Sequence, residues 1–327
     1  MELLWGQDQI LAATPESSMS APSRVPRTKS ESEAAIALAY NEAGYRYGKY
    51  ADGPSRGLFQ FDGRHAYSDR KTWETIEGRL LKLRAGGCDH LRVLDVGCGP
   101  GTWLRRVVVR ACQIGFSRIT AQGIDIADTQ ILRARAMSRG VAALEGVALS
   151  FTHGDLRGKL PAGRFDLSLC LYGVLNHIPT AEQPEVFARL AAATGAWMVC
   201  AVRTVGSTPT VYVDDVCAAV RFYQDNRIDR LDVEFANGRK LRFPSHLFSR
   251  AELQRLAAPA FEVEDLRGLD LFHGRFDGDP RWNPGGLPTA RLAQELERLE
   301  DRYCRDPGFM DRATHLLLTA RRPASAR

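Results

Sequence analysis

Apolar positions along this chain follow two alternating rhythms. Short continuous runs bounded by Gly, Asp or Pro read as buried strands, and longer stretches with apolar residues every three or four positions read as helices. The first strong run is Val93-Leu94-Asp95-Val96. Glycines follow at alternate positions, Gly97, Gly99 and Gly101, and a helix is expected from Trp103 to Gly115. Strands are then expected at Ile119–Ile126, Val147–Thr152, Phe165–Tyr172 and Trp197–Val202, with helices at Thr129–Arg139 and Ala181–Ala193 between them. The run FDLSLCLY is almost wholly apolar, as suits a strand covered on both faces. Strands alternating with helices in this way predict a doubly wound parallel sheet, an α/β fold.

The flanks read differently. Residues 1–29 are rich in Ser and Pro and poor in large apolar groups, so a mobile tail is expected. Ser30-Glu31-Ser32-Glu33 resembles a helix start, with the helix running from Ala34 to Ala43. A tyrosine-rich segment, Tyr45 to Tyr50, leads to a turn at Asp52-Gly53-Pro54, and an amphipathic helix is expected at Trp73–Leu83. Residues 30–90 therefore read as an N-terminal helical lid and residues 91–327 as the main domain. Within the latter, an insertion is expected at about 204–248: a helix over Asp214–Asp225, then a hairpin over Leu231–Phe243 with Asn237-Gly238 as its turn. Helix Arg250–Leu256, strand Phe261–Leu269, a long Gly- and Pro-rich loop Asp270–Pro288, helix Ala290–Tyr303 and strand Thr314–Ala320 complete the chain.

Composition narrows the picture modestly. At 327 residues and 44% hydrophobic, the chain can bury a substantial core. Its net charge of +5 is spread without a like-charge block, which does not favour a nucleic-acid surface. No run reaches the ~18 apolar residues of a membrane span, and a secretory signal is not expected. The seven cysteines are scattered with no C-x-x-C pair, which argues for reduced thiols, a cytoplasmic location and no structural zinc.

A strand, glycine turn and helix propose a nucleotide-like cofactor, because bare backbone and free helix N–H groups can meet a ligand there. The dinucleotide pattern G-x-G-x-x-G needs glycine at position 102, where this chain has Thr102, so nicotinamide binding is disfavoured. Acids stand at the ends of successive strands, at Asp95, Asp125 and Asp155, on the edge where open α/β sheets bind ligands.

Together with Tyr172-Gly173-Val174-Leu175-Asn176-His177-Ile178-Pro179 after the fourth strand, these residues resemble the class I S-adenosylmethionine-dependent methyltransferases. The resemblance covers about Tyr45 to Val202 and, more loosely, the last strands. It implies a Rossmann-like seven-stranded sheet of order 3-2-1-4-5-7-6, with the last strand antiparallel. It also implies S-adenosylmethionine as cofactor and S-adenosylhomocysteine as product. The implied cofactor residues are Asp95, Gly97, Gly99, Gly101, Asp125, Ile126, Asp155, Leu156, Tyr172 and Tyr47. Asp95 would face the ammonium, Asp125 the ribose hydroxyls, and Asp155 with the Leu156 amide the adenine. Each acid also fits a plain role as a cap or turn former.

The acceptor is read less directly. Transfer to a weakly acidic oxygen or nitrogen needs a base, and His177, His246 and His273 are the candidates. Each also fits a structural place. Arg64, His65, Tyr67 and Trp282 are candidate acceptor-binding residues in the lid and the late loop. The expected activity is methylation of a small molecule at oxygen or nitrogen, with neither a membrane nor a nucleic acid as the expected partner. Methylation of RNA or protein, and cofactor binding without catalysis, are the alternatives.

Overall fold

The computed structural model describes residues 33–41, 57–61, 65–207, 219–235, 238–273 and 290–323. The expectations placed on residues 1–29, Tyr47, Arg64, Asn237 and Trp282 lie outside them.

Residues 33–41 form helix α1. Helix α2, Ala66–Ala85, begins seven residues before the expected Trp73 and buries Tyr67, Thr72, Trp73, Ile76, Leu80 and Leu83 along one stripe. Strand β1, His90–Val96, leads through the glycine turn into α3, Thr102–Gln113. Next come β2, Arg118–Asp125, and the helices α4, Asp128–Met137, and α5, Arg139–Ala142. The helix expected over Thr129–Arg139 is α4, which ends at Met137, and the short α5 follows it. Strands β3, Val147–His153, and β4, Phe165–Cys170, follow, and α6, Gln183–Ala193, runs directly into β5, Thr194–Arg203. Beyond lie β6, Ala219–Asp225, β7, Arg230–Phe235, and β8, Lys240–Pro244. Helix α7, Arg250–Ala257, strand β9, Glu262–Leu269, helices α8, Ala290–Tyr303, and α9, Pro307–Met310, and strand β10, His315–Arg321, complete the order.

The main sheet has seven strands in the order β3-β2-β1-β4-β5-β10-β9. The pairs from β3 through β5 are parallel, and β10 runs antiparallel to both β5 and β9. This is the predicted order with its reversed last strand. Alternate residues of each strand enter two cores. Leu91 and Val93 pack with Trp73, Ile76, Leu80, Leu104 and Val107, whereas Leu94 and Val96 pack with Val186, Phe187, Leu190 and Leu253. Helices therefore cover both faces, and the strands can be apolar throughout.

The insertion is a separate antiparallel sheet, β6-β7-β8. The helix expected over Asp214–Asp225 is not there in its described part: residues 219–225 are a strand paired to β7, with Phe222 opposite Val233 and Tyr223 opposite Asp232. Val220, Phe222 and Tyr223 are types that favour a pleated surface, and the edge of the β7–β8 hairpin supplies a ladder for them. The inner face of this sheet, Leu231, Val233, Phe235, Leu241 and Phe243, packs on Ile36 and Ala39 of α1. Among the described residues no helix is long and apolar enough to cross a membrane.

Candidate active site

The carboxyl ends of β1, β2 and β4 open into a cavity. Its lining includes Gly97 and Gly99 of the glycine turn, Asp125 and Ile126 after β2, Asp155 and Leu156 after β3, and Tyr172 and His177 after β4. Thus eight of the predicted positions meet in one place.

The glycine turn is built for backbone shape and close packing. Gly97 and Gly101 have φ of 69° and 76°, in the left-handed region. A Cβ on Gly97 would lie 2.2 Å from Val174 Cγ2, and one on Gly101 would lie 2.8 Å from the Phe151 ring. The missing side chains at these two positions are thus replaced by protein neighbours. Gly99 reaches the cavity itself, and its N–H donates to Asp125 Oδ2 at 2.8 Å.

Asp125 is buried, and its Oδ1 accepts from the Ala127 N–H at 2.9 Å. Each carboxylate oxygen keeps a second lone pair, so Asp125 can both staple the turn and accept from a ligand. Burial raises its pKa against these hydrogen bonds. Asp95 lies deeper and is 2% exposed, with no partner on Oδ2. Burial, and then the neighbouring Asp125 charge, push it up to about 8. Asp155 is engaged locally: Arg157 donates to Oδ1 from its backbone N–H at 2.7 Å and to Oδ2 from Nη2 at 2.7 Å. The same guanidinium comes within 3.5 Å of Glu33 on α1.

His177 carries a defined tautomer. Its Nδ1 lies 2.9 Å from the Pro244 carbonyl, which can only accept, so Nδ1 bears the hydrogen. Nε2 therefore accepts from the Tyr40 hydroxyl at 2.7 Å. Burial lowers the imidazole to about 4, so it is neutral at physiological pH. Its one lone pair is already occupied by Tyr40.

The other two histidines do not line this cavity. His246 is clamped between Asp229 at 3.0 Å and Glu252 at 3.0 Å, with its ring edge against Phe248. Its backbone is tied to Asn176, whose amide also bonds Arg203, locking the loop after β4 to β5. His273 stacks on Tyr67 with ring centroids 4.9 Å apart. His65 lies 3.7 Å from Asp270.

Several lining residues went unnoticed in the sequence. Ile36 and Tyr40 reach the cavity from α1, and Gln130 reaches it from α4. Gln130 is 1% exposed, and neither of its amide atoms has a hydrogen-bond partner. A polar residue on the buried stripe of α4, beside Ile131 and Ala134, was the available signal.

Residues 93–196 match the family model described as a methyltransferase domain. The match spans the glycine turn, Asp125, Asp155 and the loop after β4. This segment is supported as a methyltransferase domain of the class I S-adenosylmethionine-dependent kind. In fold the chain is similar to a solved S-adenosylmethionine-dependent methyltransferase from Clostridium acetobutylicum. That match has 11% identity and a TM-score of 0.51, and covers 87% of this chain and 99% of that one. It is also similar to magnesium protoporphyrin IX methyltransferase from Synechocystis with bound S-adenosylhomocysteine. There the identity is 16% and the TM-score 0.48, covering 89% of this chain and 99% of that one. At these identities the likeness concerns the fold. No curated protein matches the sequence.

The residues present fit S-adenosylmethionine as cofactor. Asp95 Oδ2 is a buried acceptor without a donor, suited to an ammonium. Asp125 offers lone pairs for vicinal hydroxyls, and Ile36, Val96, Ile124 and Ile178 supply apolar walls.

Proposed function

We propose that the protein transfers the methyl group of S-adenosylmethionine to an oxygen or nitrogen of a small molecule. The observation that carries this reading is the cavity itself. Ile36 and Tyr40 of α1 line it, and its apolar walls surround Asp125, Tyr172 and Gln130. A largely apolar cavity with a few polar groups to orient a ligand suits a small molecule.

When bound, S-adenosylmethionine supplies an electrophilic methyl group on a sulfonium. The chain's own residues bind, orient and exclude water. In this reading Asp125 accepts from the ribose and Asp95 holds the ammonium. Gly97, Gly99 and Gly101 shape the turn between them, and Leu156 and Ile126 flank the base. Asp155 holds Arg157, so that Glu33 and α1 are drawn down. His177 positions the Tyr40 hydroxyl at the cavity wall. Alignment and water exclusion are the main contributions that a protein makes to such an in-line displacement.

The test is transfer of a radiolabelled methyl group in a cell extract. Label is expected in the low-molecular-weight filtrate. Label retained with RNA or protein would replace the small-molecule reading. Binding of S-adenosylhomocysteine with no label transferred would replace it with a non-catalytic role.

A further inference from the structure

A second polar centre lies across Tyr172 from the cofactor cavity. Tyr172 has a φ of 52° and lines the cavity, and its hydroxyl donates to Asp69 Oδ1 at 2.5 Å. Its ring meets His315 edge-on, with centroids 5.4 Å apart. His315 pairs with Leu269 across the antiparallel β10–β9 ladder, so Asp270 and His315 reach the same sheet edge as Tyr172. Asp270 also sits in the left-handed region, at φ 55°. His65, at the entrance to α2, brings its Nδ1 within 3.7 Å of Asp270 Oδ2.

Asp270 and His315 are each 3% exposed. Neither carboxylate oxygen of Asp270 has a hydrogen-bond partner, and His315 Nδ1 has none. A buried carboxylate without hydrogen bonds, held on a strained backbone, is costly in a folded protein and concentrates at sites that bind something. Other groups act on this centre. Asp69 feels His65, Asp270 and Arg106 of α3. His315 feels Asp270, His65 and Arg203 at the end of β5. Glu300 of α8 feels Asp270, and its Oε1 accepts from the Phe272 and His273 N–H groups. Among the described residues no group of three or more His, Cys, Asp or Glu is disposed to hold a metal ion.

We propose that the Asp270–His65 pair receives the nucleophilic O–H or N–H of the methyl acceptor and takes its proton, with His315 and Tyr172 as the neighbouring walls. This rests on the small-molecule methyl-transfer reading above, and it places the base away from His177. The acceptor proton passes to the pair, which then holds one proton more. The freed electron pair forms the bond to the methyl carbon, and the electrons of the broken carbon–sulfur bond stay on sulfur, which loses its positive charge. Tyr172 lines the cavity and meets His315, so this centre adjoins the cofactor cavity.

The test uses full-length protein with ¹⁵N-histidine, saturated with S-adenosylhomocysteine, and phenol or benzylamine added separately. The His65 and His315 imidazole signals are expected to shift with at least one probe. A response to phenol alone indicates an oxygen acceptor, and one to benzylamine alone a nitrogen acceptor. Asp270→Asn is expected to weaken the response at least tenfold while S-adenosylhomocysteine still binds. If Asp270→Asn does not fold, His65→Gln is read at His315 instead, with the same expectation. Unmoved signals with both probes, in protein that binds S-adenosylhomocysteine, overturn the proposal. Failure to bind S-adenosylhomocysteine overturns the methyl-transfer reading beneath it.

Discussion

Asp125 combines two tasks in one carboxylate. It accepts from the Gly99 and Ala127 N–H groups, and it faces the cavity. Asp125→Ala is expected to weaken S-adenosylmethionine binding at least tenfold, or about 1.4 kcal/mol, as measured by calorimetry. Unchanged affinity would remove Asp125 from the ribose. Asp95 gives a second expectation. Its carboxyl is raised to about 8, so most of it is protonated near neutrality when no ligand is bound. An ammonium favours the ionised form. Cofactor binding at pH 7 should therefore release a proton, seen as a heat that varies with buffer ionisation enthalpy and is abolished in Asp95→Asn. At this scale the sequence was a fair guide to acids at strand ends, because strand and turn set their places. It was a poor guide to the histidines. Whether His177 is a base depends on Tyr40 and Pro244, which lie 137 and 67 residues away in the chain.

At the scale of elements, the small sheet β6-β7-β8 serves as the seat of α1. Phe243 is 1% exposed, packs in the cluster with Ile36 and Ala39, and lies with its ring centroid 5.4 Å from that of His177. Phe243→Ala should destabilise this unit by about 3–5 kcal/mol. Amide exchange should rise at residues 33–41 and 230–244 before it rises in the main sheet. A uniform rise across both sheets would show that the small sheet does not open separately. Strands β1, β4 and β5 were legible because their apolar runs are buried on two faces. Residues 219–225 were not, because a seven-residue segment rich in β-branched and aromatic residues takes its conformation from the edge it meets. The helix expected over Thr129–Arg139 was legible as α4, whose buried stripe of Gln130, Ile131 and Ala134 follows helical spacing.

At the scale of the molecule, four buried groups contribute to a pH profile. Asp95 is raised to about 8 and Glu300 to about 7, so each favours the folded state below its unfolded pKa and loses that contribution as pH rises through the folded value. His177 is lowered to about 4 and His315 to about 3, so the unfolded state binds more protons and their contribution falls as pH drops below about 6.5. The two trends oppose each other between roughly pH 4.5 and 6.5, and only the carboxyls act above that range. Stability of the cofactor-free protein should therefore fall from about pH 6.5 to 8 in denaturant titrations. The double variant Asp95→Asn/Glu300→Gln should flatten this decline. A decline that persists in that variant would assign it to other groups. The order of the sheet was readable in the sequence through family resemblance. The centre around Asp270 was not, because it joins the start of α2 to the ends of β4 and β9 and the start of β10.

The place of β10 between β5 and β9 also has a consequence for synthesis. Strands β5 and β9 are made earlier, and neither pairs with the other. Until residues 315–321 have left the ribosome, each presents an open ladder edge, a known route to aggregation. Apart from Ile36 and Tyr40, every residue lining the cofactor cavity lies between Val96 and Ile178. A nascent chain thus carries the residues for its ligand well before its sheet can close. Ligand supply during expression should therefore do little for the yield of chains shortened within β10.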